Sequence, residues 1–296
     1  MSDTLLRMRL FVAVYEERSF TAAATRENAT QSGVTQHVRR LEDQHGVKLF
    51  VRGTGSVKPT PAGDAYYRGC IEVLRVHDQA RQAVRAYRSS LDGEVVVGLT
   101  PTMTRAVFAP ALARFMKTHP NVVVRVIDAY SDIVTEKVRA GELDFAIVPG
   151  FKFETGIRSQ LFARTPEFLV SGHDSGLGLK NRVPVQLAKL GPLKLVLPSI
   201  RQVRRGYLES YLASTGASIA QLLEIDSSLC AHDFVARTDW VSVYPGIAMI
   251  REIESGQLIV NPLTEPALIL DLFRIERARQ PLTAEAVAFL DVLQDQ

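Results

Sequence analysis

Apolar residues at helical spacing predict two short helices near the start of the chain. Leu6, Leu10 and Val14 fall on one face of a first helix, and that face is expected to be buried. Ser19 has the side chain of a helix N-cap and precedes a second predicted helix over residues 20–26. Small residues within that second helix allow another helix to pack closely against it.

A third helix is predicted from near Thr30, which serves as its N-cap, to about His45, where Gly46 ends it. Its inward positions repeat at spacings of four and three residues: Val34, Val38 and Leu41. A short segment with glycines and basic residues follows over 51–58 and predicts a β-hairpin. The order of these elements predicts a winged helix-turn-helix.

The outward face of the third helix carries the groups that a helix in the DNA major groove needs. Amides and hydroxyls suit base edges, and guanidinium groups suit phosphates. The candidate DNA-binding residues are Thr21, Thr30, Gln31, Ser32, Thr35, Gln36, Arg39, Arg40, Arg52 and Lys58. The alternative is that this face is only a solvated helix surface. The agreement of helix order, small residues and basic hairpin favours DNA binding.

Three segments of the N-terminal region resemble the winged helix-turn-helix of the LysR-type transcriptional regulators. They are RLFVAVYEERSFTAAA at 9–24, TQSGVTQHVRRLEDQHGVKLFVR at 30–52 and TPAGDAYY at 60–67. The chain departs from the family at Ser32, where proline is common, and at Gln36 and Thr35, where arginine and serine are frequent. The resemblance therefore implies double-stranded DNA as partner without indicating the operator sequence.

The charge balance differs between the two ends of the chain. Residues 1–91 hold 14 Lys and Arg against 9 Asp and Glu, whereas residues 92–296 hold 21 against 23. A basic excess at the proposed DNA end is what binding by counterion release requires. A length of 296 residues suggests two or three domains.

The number of cysteines and the hydropathy of the chain indicate in which cellular compartment the protein is expected. Cys70 and Cys230 are too few for a disulfide scaffold or a zinc site and fit a reducing compartment. The sequence shows neither a signal-type segment nor an apolar run of about 18 residues, so a cytoplasmic protein without membrane contact is expected. We expect no cofactor and no metal.

A long linker helix is predicted over 61–91, since no proline occurs between Pro61 and Pro101. Its seam has alternating four and three spacing: Tyr66, Cys70, Val73, His77, Ala80, Val84, Tyr87 and Leu91. About 30 helical residues span roughly 45 Å, which exceeds the need of a small winged domain, so a partner helix is expected. Packing against the chain's own second domain is the alternative. In the LysR family the equivalent helix forms an antiparallel dimer coil.

From residue 92 the pattern alternates between strands and helices, which predicts parallel α/β units. Strands are predicted at 95–99, 122–128, 144–148, 168–170, 193–197, 221–225, 240–243 and 268–274. Helices are predicted at 104–117, 131–140, 203–215, 228–237, 246–252 and 283–294.

GEVVVGLTPT at 93–102 and VRAGELDFAIV at 138–148 resemble the LysR effector domain. That resemblance implies the type 2 periplasmic-binding-protein fold, with two α/β lobes joined by crossovers, here placed near 162–166 and 262–268. The predicted fold class is α/β overall, with a winged helix-turn-helix (1–60), a linker and dimerisation helix (61–91) and an effector-binding domain (92–296). Lobe I comprises 92–162 and 268–296, and lobe II comprises 163–267.

Polar side chains follow the carboxyl ends of strands in both lobes, where open α/β sheets bind ligands. Candidate effector-binding residues are Thr100, Thr102, Met103, Ser131, Phe151, Ser199, Ile200 and Arg201. Their hydroxyls and Arg201 suit a small, anionic metabolite. The alternative is that Thr102, Ser131 and Ser199 are only helix N-caps. Arg204 and Arg205 are predicted to lie on a solvated helix surface.

An enzyme is the competing class, because two-lobed α/β domains also carry transferases. Cys230 and His232 are two positions apart on a predicted helix, so they face different directions and do not form a nucleophile and base. A solute-binding protein would require export. The sequence and the resemblance favour a LysR-type regulator, not an enzyme, with promoter DNA, a small-molecule inducer and RNA polymerase as partners, assembled as a homodimer or homotetramer.

Overall fold

The computed structural model describes residues 2–52, 57–85, 91–103, 108–150 and 154–295. Contacts divide the chain into two compact units. The first comprises residues 1–89 with the short segments 154–158 and 277–281, and the second comprises residues 90–153, 159–276 and 282–296.

The first unit is built on helices with a small two-stranded sheet. Its elements are α1 (Ser2–Glu17), α2 (Phe20–Arg26), α3 (Gln31–His45), β1 (Phe50–Arg52), β2 (Val57–Pro59) and α4 (Pro61–Arg85). Strands β1 and β2 pair antiparallel, with Val51 opposite Lys58. One core joins all of these helices and includes Phe11, Val38 and Leu74. The predicted second and third helices are confirmed to within one residue of each end.

Two segments distant in sequence contact the helices of the first unit. The backbone N–H of Gly156 donates a hydrogen bond of 3.1 Å to the hydroxyl oxygen of Tyr67. Arg279 donates to Glu27 through Nη1 at 2.7 Å. These contacts explain why 154–158 and 277–281 cluster with the helical unit although the strands beside them continue into the second unit.

The second unit contains one continuous sheet with strand order β4-β3-β5-β11-β6-β9-β7-β8, and β10 pairs with β6. Its strands are β3 (Gly93–Leu99), β4 (Val122–Asp128), β5 (Phe145–Pro149), β6 (Ile157–Ser171), β7 (Leu193–Leu197), β8 (Ile219–Glu224), β9 (Val241–Pro245), β10 (Ile259–Pro262) and β11 (Ile269–Arg277). In lobe I, β3 pairs parallel with both β4 and β5, and β11 runs antiparallel to β5. In lobe II, β7 pairs parallel with β8 and β9, and β6 runs antiparallel to β9.

Helices cover the sheet of each lobe. They are α5 (Pro101–Met103), α6 (Ala109–Thr118), α7 (Ser131–Ala140), α8 (Val203–Thr215), α9 (Ser228–Ala236), α10 (Ile250–Ser255) and α11 (Ala284–Gln294), with 3₁₀ turns at Leu187–Lys189 and Gly246–Met249. Lobe I has a core around Phe115 and Phe289, and lobe II has a core on each face of its sheet, around Leu195 and Val170. Gly98 permits α7 to lie close to β3, since a Cβ there would stand 3.1 Å from Val134 Cβ of α7.

The predicted α/β pattern is largely confirmed, and the differences have physical causes. The bounds of β4, β7, α7 and α8 match the prediction. The strand predicted at 168–170 is part of the much longer β6, because one chain segment crosses from lobe I to lobe II. The helix predicted at 104–117 is confirmed in its later part as α6 (Ala109–Thr118), and its predicted start at 104–107 lies outside the described part. The sequence pattern does not predict strand β10.

Candidate functional site

The exposed face of α3 is the first candidate site, and local sequence fixes where it starts and ends. The Thr30 side chain accepts a hydrogen bond of 3.2 Å from the backbone N–H of Gly33, which caps the helix. Gly46 adopts a left-handed conformation (φ 67°) and ends it, a conformation that costs glycine least. The buried face holds Val34 and Val38, so the opposite face is turned to solvent.

The structure brings the predicted DNA-contacting side chains of α3 together on that solvent face. The exposed members on α3 are Gln31, Ser32, Gln36, Arg39 and Arg40. Thr21 on α2 and Thr30, the N-cap of α3, are also exposed. Thr35 is half-buried; its hydroxyl donates to the carbonyl of Gln31 at 2.9 Å. The pKa of His37 is lowered, first by burial and then by the positive charges of Arg40 and Arg7. The exposed arginines Arg39 and Arg40 lie on the same helix as the amides of Gln31 and Gln36.

A buried carboxylate that the sequence analysis missed joins α3 to the hairpin. Glu42 Oε1 accepts hydrogen bonds from the backbone N–H groups of Leu49 (2.9 Å) and Phe50 (3.2 Å), and Oε2 accepts from Lys48 Nζ (3.1 Å). Burial alone would raise the pKa of Glu42, but these hydrogen bonds together hold it below its ordinary value. The sequence pattern does not predict that Glu42 is buried against the hairpin, because a glutamate on a helix is usually exposed. Lys58 is exposed on β2, and the side chain of Arg52 lies outside the described part.

Glu42→Ala is expected to loosen the hairpin at neutral pH, because two buried backbone donors lose their acceptor at a cost of about 1–3 kcal/mol each. The expected result is faster amide hydrogen exchange in the peptide that contains Leu49 and Phe50, measured on the full-length protein. Glu72→Ala is the matched control, since Glu72 is exposed and pairs with Arg75 on its own helix.

The pH dependence of this contact follows from the lowered pKa of Glu42. A depressed folded-state pKa means that the stabilisation is complete above the unfolded-state value and is lost as pH falls through the folded-state value. The wild-type hairpin is therefore expected to gain exchange protection as pH rises through the acidic range, and Glu42→Ala to lack this step. Equal protection in both proteins at pH 7 would contradict the assignment.

Helix α4 is divided between packing on its own unit and an exposed apolar stripe. Cys70 and Leu74 are buried in the core of the first unit, and burial raises the pKa of the Cys70 thiol to about 11. Tyr66 packs against the same core. The prediction that Tyr66 and Cys70 face a partner helix is therefore wrong, since the start of α4 completes the winged domain. The described helix ends at Arg85, Leu91 is not helical, and Tyr87 lies outside the described part.

The exposed stripe lies along the second half of α4. Val73, Val76 and Val84 are 44, 56 and 73% exposed, and Ala80 is exposed between them. Spacings of three and four residues place these four side chains on one side of the helix. Apolar side chains in a row on a helix are the pattern of a helix–helix contact.

A cavity lies between the two lobes of the second unit, at the carboxyl ends of its strands. Its lining residues are Thr100, Pro101, Tyr130, Ser131, Pro149, Val196, Leu197, Pro198, Gln202, Val203, Arg204, Ile225, Asp226, Ser228, Ser242 and Tyr244. Thr100 follows β3 and Ser131 begins α7, as predicted for both. Pro198 follows β7 and Asp226 comes two residues after β8. The cavity therefore collects groups from both lobes.

Several predicted effector residues lie elsewhere. Met103 is buried in the core of lobe I, so its side chain packs against that core instead of lining the cavity. Ile200 is 80% exposed and Arg201 is exposed, and neither lines the cavity. Ser199 is buried beside the lining residue Pro198. The side chain of Thr102 and all of Phe151 lie outside the described part.

Asp226 and Tyr130, which the sequence does not indicate as a pair, line the cavity from opposite lobes. Asp226 Oδ1 accepts hydrogen bonds from the Ser199 backbone N–H (2.9 Å) and from Gln202 Nε2 (2.7 Å). Burial would raise the pKa of Asp226, but these donors and the charge of Arg201 hold it below its ordinary value. The pKa of Tyr130 is raised, first by burial and then by the negative charge of Asp226.

Arg204 and Arg205 are buried, so the prediction of a solvated surface is wrong for both. Arg204 forms two hydrogen bonds to Glu167, Nε to Oε1 at 2.8 Å and Nη2 to Oε2 at 2.7 Å, and donates to the carbonyl of Val243. Glu167 lies on β6 near the point where the chain changes lobe, and its N–H donates to the carbonyl of Leu268. Consecutive arginines in sequence give no signal for the burial of Arg204, because its partner Glu167 is 37 residues away.

The pair considered for nucleophilic chemistry does not meet. Cys230 is exposed, whereas His232 is buried against the ring of Tyr244 and lies 3.6 Å from a Glu252 oxygen. Among the residues that the structure describes, no group of His, Cys, Asp and Glu is arranged to hold a metal ion. None of the described helices has both the length and the apolar character needed to span a bilayer.

Comparison with known families assigns a description to each unit. Residues 5–64 match the model described as bacterial regulatory helix-turn-helix protein, lysR family, and residues 88–296 match the LysR substrate binding domain. Together these matches cover most of the chain.

Relatives match over nearly the whole length. The chain is 28% identical to the uncharacterized HTH-type transcriptional regulator YfeR of Shigella flexneri, over 100% of this chain and 95% of the relative. It is 28% identical to the HTH-type transcriptional activator AaeR of Escherichia coli, over 96% of this chain and 92% of that protein.

Solved structures share the fold. A full-length OxyR variant of Pseudomonas aeruginosa has a TM-score of 0.61 at 22% identity, covering 98% of this chain and 94% of that one. Full-length CbnR complexed with its target DNA has a TM-score of 0.56 at 20% identity, covering 98% and 99%. At this level of identity the likeness establishes the fold.

Proposed function

The chain belongs to the LysR family of DNA-binding transcriptional regulators, which are not enzymes, and on that premise we propose how its parts divide the work. Residues 1–60 bind duplex DNA, 61–91 join two copies, and 92–296 bind a small effector between the two lobes. The observation that carries this proposal is the exposed polar and basic face of α3, which Thr30 caps and Glu42 ties to the hairpin.

The amide side chains near the start of α3 read bases, and the basic groups hold the backbone of the duplex. Gln31 and Gln36 are exposed and have both donors and acceptors for base edges. Arg39, Arg52 and Lys58 contact phosphates or the minor groove, and these contacts position the helix without reading sequence. Ser32 and Thr35 set part of the base preference, because they replace the proline and serine that are common in the family at these two positions.

Gln31→Ala is expected to weaken binding by about 5- to 150-fold, equivalent to roughly 1–3 kcal/mol, and only at one base pair of the site. Arg52→Ala and Lys58→Ala are expected to weaken binding to every duplex and to reduce the salt slope by about one unit each. The measurement uses a duplex selected from a random library by the full-length protein, with fluorescence anisotropy at several salt concentrations.

Lys189→Ala is the matched control, since Lys189 is exposed in lobe II and its loss removes the same charge. The division into readers and anchors is wrong if Gln31→Ala and Arg52→Ala lower the affinities for the selected and the random duplex by equal factors.

Two copies assemble through the exposed stripe of α4, defined by Val73, Val76, Ala80 and Val84. Two half-sites about 34 Å apart on DNA require two recognition helices, which a single chain lacks. We propose a homodimer as the minimal assembly, with a homotetramer as its larger form. RNA polymerase as a further partner stays a prediction.

The effector binds in the cavity between the lobes and changes how the paired winged domains engage DNA. Thr100 and Ser131 lie on lobe I, and Gln202 and Ser228 lie on lobe II, so one small molecule can contact both lobes at once. Because Arg201 does not line this cavity, the positive charge that suggested an anionic effector is not part of its lining.

A further inference from the structure

The charges around the cavity do not suit a simple anion. Two charged side chains line it within the described part of the chain, Arg204 and Asp226. Glu167 neutralises Arg204 through two hydrogen bonds, and both members of that pair are buried. The carboxylate of Asp226 is therefore the charge of the lining that a ligand meets on the lobe II side; Arg201, whose positive charge acts on Asp226, lies outside that lining.

Asp226 is held in place with room for another donor. Its Oδ1 accepts from the Ser199 N–H and the Gln202 amide, which fixes the orientation of the side chain. An ionised carboxylate offers about four acceptor positions over its two oxygens. Asp226 is half-buried at the cavity wall, and its lowered pKa keeps it ionised at neutral pH. It can therefore bind a donor group of a ligand, above all a protonated amine.

Groups that favour a negatively charged part of a ligand also line the cavity, at the starts of two helices. The residues that precede α7 and α8, Tyr130 and Gln202, give no side-chain cap. Ser131 and Val203, the first residues of these helices, line the cavity. At α7 the Ile133 N–H already donates to Asp132 Oδ1 at 2.9 Å. The remaining backbone N–H donors at the starts of α7 and α8, with the positive ends of the helix dipoles, favour an oxyanion.

We propose that the effector of this protein is a small dipolar metabolite of the α-amino acid class, with its carboxylate at the starts of α7 and α8 and its ammonium group at Asp226. This inference rests on the proposed function, because it names the ligand class of the same cavity. It departs from the anionic effector expected from the sequence.

The size of the cavity favours a small ligand. Its volume is about 40 Å³, which is room for a few water molecules. Tyr130 of lobe I and Asp226 of lobe II both line the cavity, and the negative charge of Asp226 contributes to the raised pKa of Tyr130. A ligand ammonium at Asp226 therefore also lies near Tyr130.

The test compares three sets of compounds on the full-length protein by thermal unfolding, followed by calorimetry with each active compound. The first set contains the common L-amino acids, the second their deaminated carboxylic acids, and the third their decarboxylated amines. We expect stabilisation by a member of the first set and at least about 30-fold weaker binding of its counterparts, because each lacks one of two charge-assisted contacts.

Asp226→Asn tests the assigned residue, since asparagine keeps an acceptor for Ser199 and Gln202 but loses the charge. It is expected to weaken the active amino acid by at least about 30-fold and to leave the weak binding of the carboxylic acid unchanged. Asp239→Asn is the control, because Asp239 lies in the same lobe, outside the cavity, and pairs with Lys194. Fluorescence of Trp240 verifies that both variants are folded.

The proposal is overturned if the carboxylic acids or the amines bind as tightly as the amino acids, if no amino acid binds, or if Asp226→Asn binds like the wild type. The comparison between compound sets uses the wild-type protein, so it decides even if a variant fails to fold. Binding of the selected duplex is measured on the same preparation. Loss of sequence-specific DNA binding would refute the proposed function and leave the ligand class as a separate result.

Discussion

Val84→Asp is expected to convert the full-length protein to monomers and to weaken its binding to a two-half-site duplex by at least about 100-fold. Val84 is 73% exposed in the single chain and lies at the end of the α4 stripe. In a dimer joined through this stripe, each copy would bury an aspartate without a partner, and removing the partner of a buried charge costs about 3–5 kcal/mol. Sedimentation velocity and anisotropy measure the two effects.

The control for this experiment is Gln79→Asp. Gln79 is exposed on the same helix but lies off the stripe, so the same charge is introduced into a solvated position. We expect the control to keep both the assembly and the DNA affinity. An unchanged oligomer in Val84→Asp would show that the stripe is not the dimer contact, while single half-site binding would still report a folded winged domain.

Arg204→Met is expected to destabilise lobe II by about 3–5 kcal/mol, because the Glu167 carboxylate is left buried without its partner. Arg204 and Glu167 are 6 and 2% exposed, and the guanidinium also donates to the carbonyl of Val243. Trp240 is the single tryptophan of the chain and packs in a lobe II core, so its fluorescence during urea unfolding reports this lobe directly.

Two further variants separate the ion pair from general damage. Arg205→Met is the matched control: Arg205 is also buried and also donates to a carbonyl, that of Pro198, but its carboxylate partners Glu209 and Glu224 are exposed, so water can solvate the carboxylates left behind. Its loss is expected to cost clearly less. Glu167→Gln combined with Arg204→Met is expected to recover part of the stability, since no buried charge remains unpaired. A cost below about 1 kcal/mol for Arg204→Met would contradict the buried pair.

The cavity depends on this pair as well as on its polar lining. Arg204 lines the cavity from α8, and Glu167 lies on β6, the strand that passes from one lobe to the other. The ion pair thus ties the start of α8 to the segment about which the lobes would move. Loss of the pair is expected to weaken effector binding together with stability.

Local chemistry was sufficient for the winged domain and for most of the α/β pattern. Thr30 and Gly46 mark the ends of α3 through capping and a left-handed residue, which are properties of a few neighbouring positions. The bounds of β4 and α7 follow from period and turn residues in the same way. Shared sequence segments then indicated the family, because they extend over several elements at fixed spacing.

Partners far apart in sequence were decided by the tertiary structure alone. Glu42, Arg204 and Asp226 each look like surface residues in sequence, and each is fixed by groups on another element. The same holds for Cys70, whose spacing fits a dimer seam although it packs in the core of its own unit. Periodicity shows that a helix has an apolar face but not which surface covers it. A charged residue that is expected at the surface can be buried when a group on another element pairs with it.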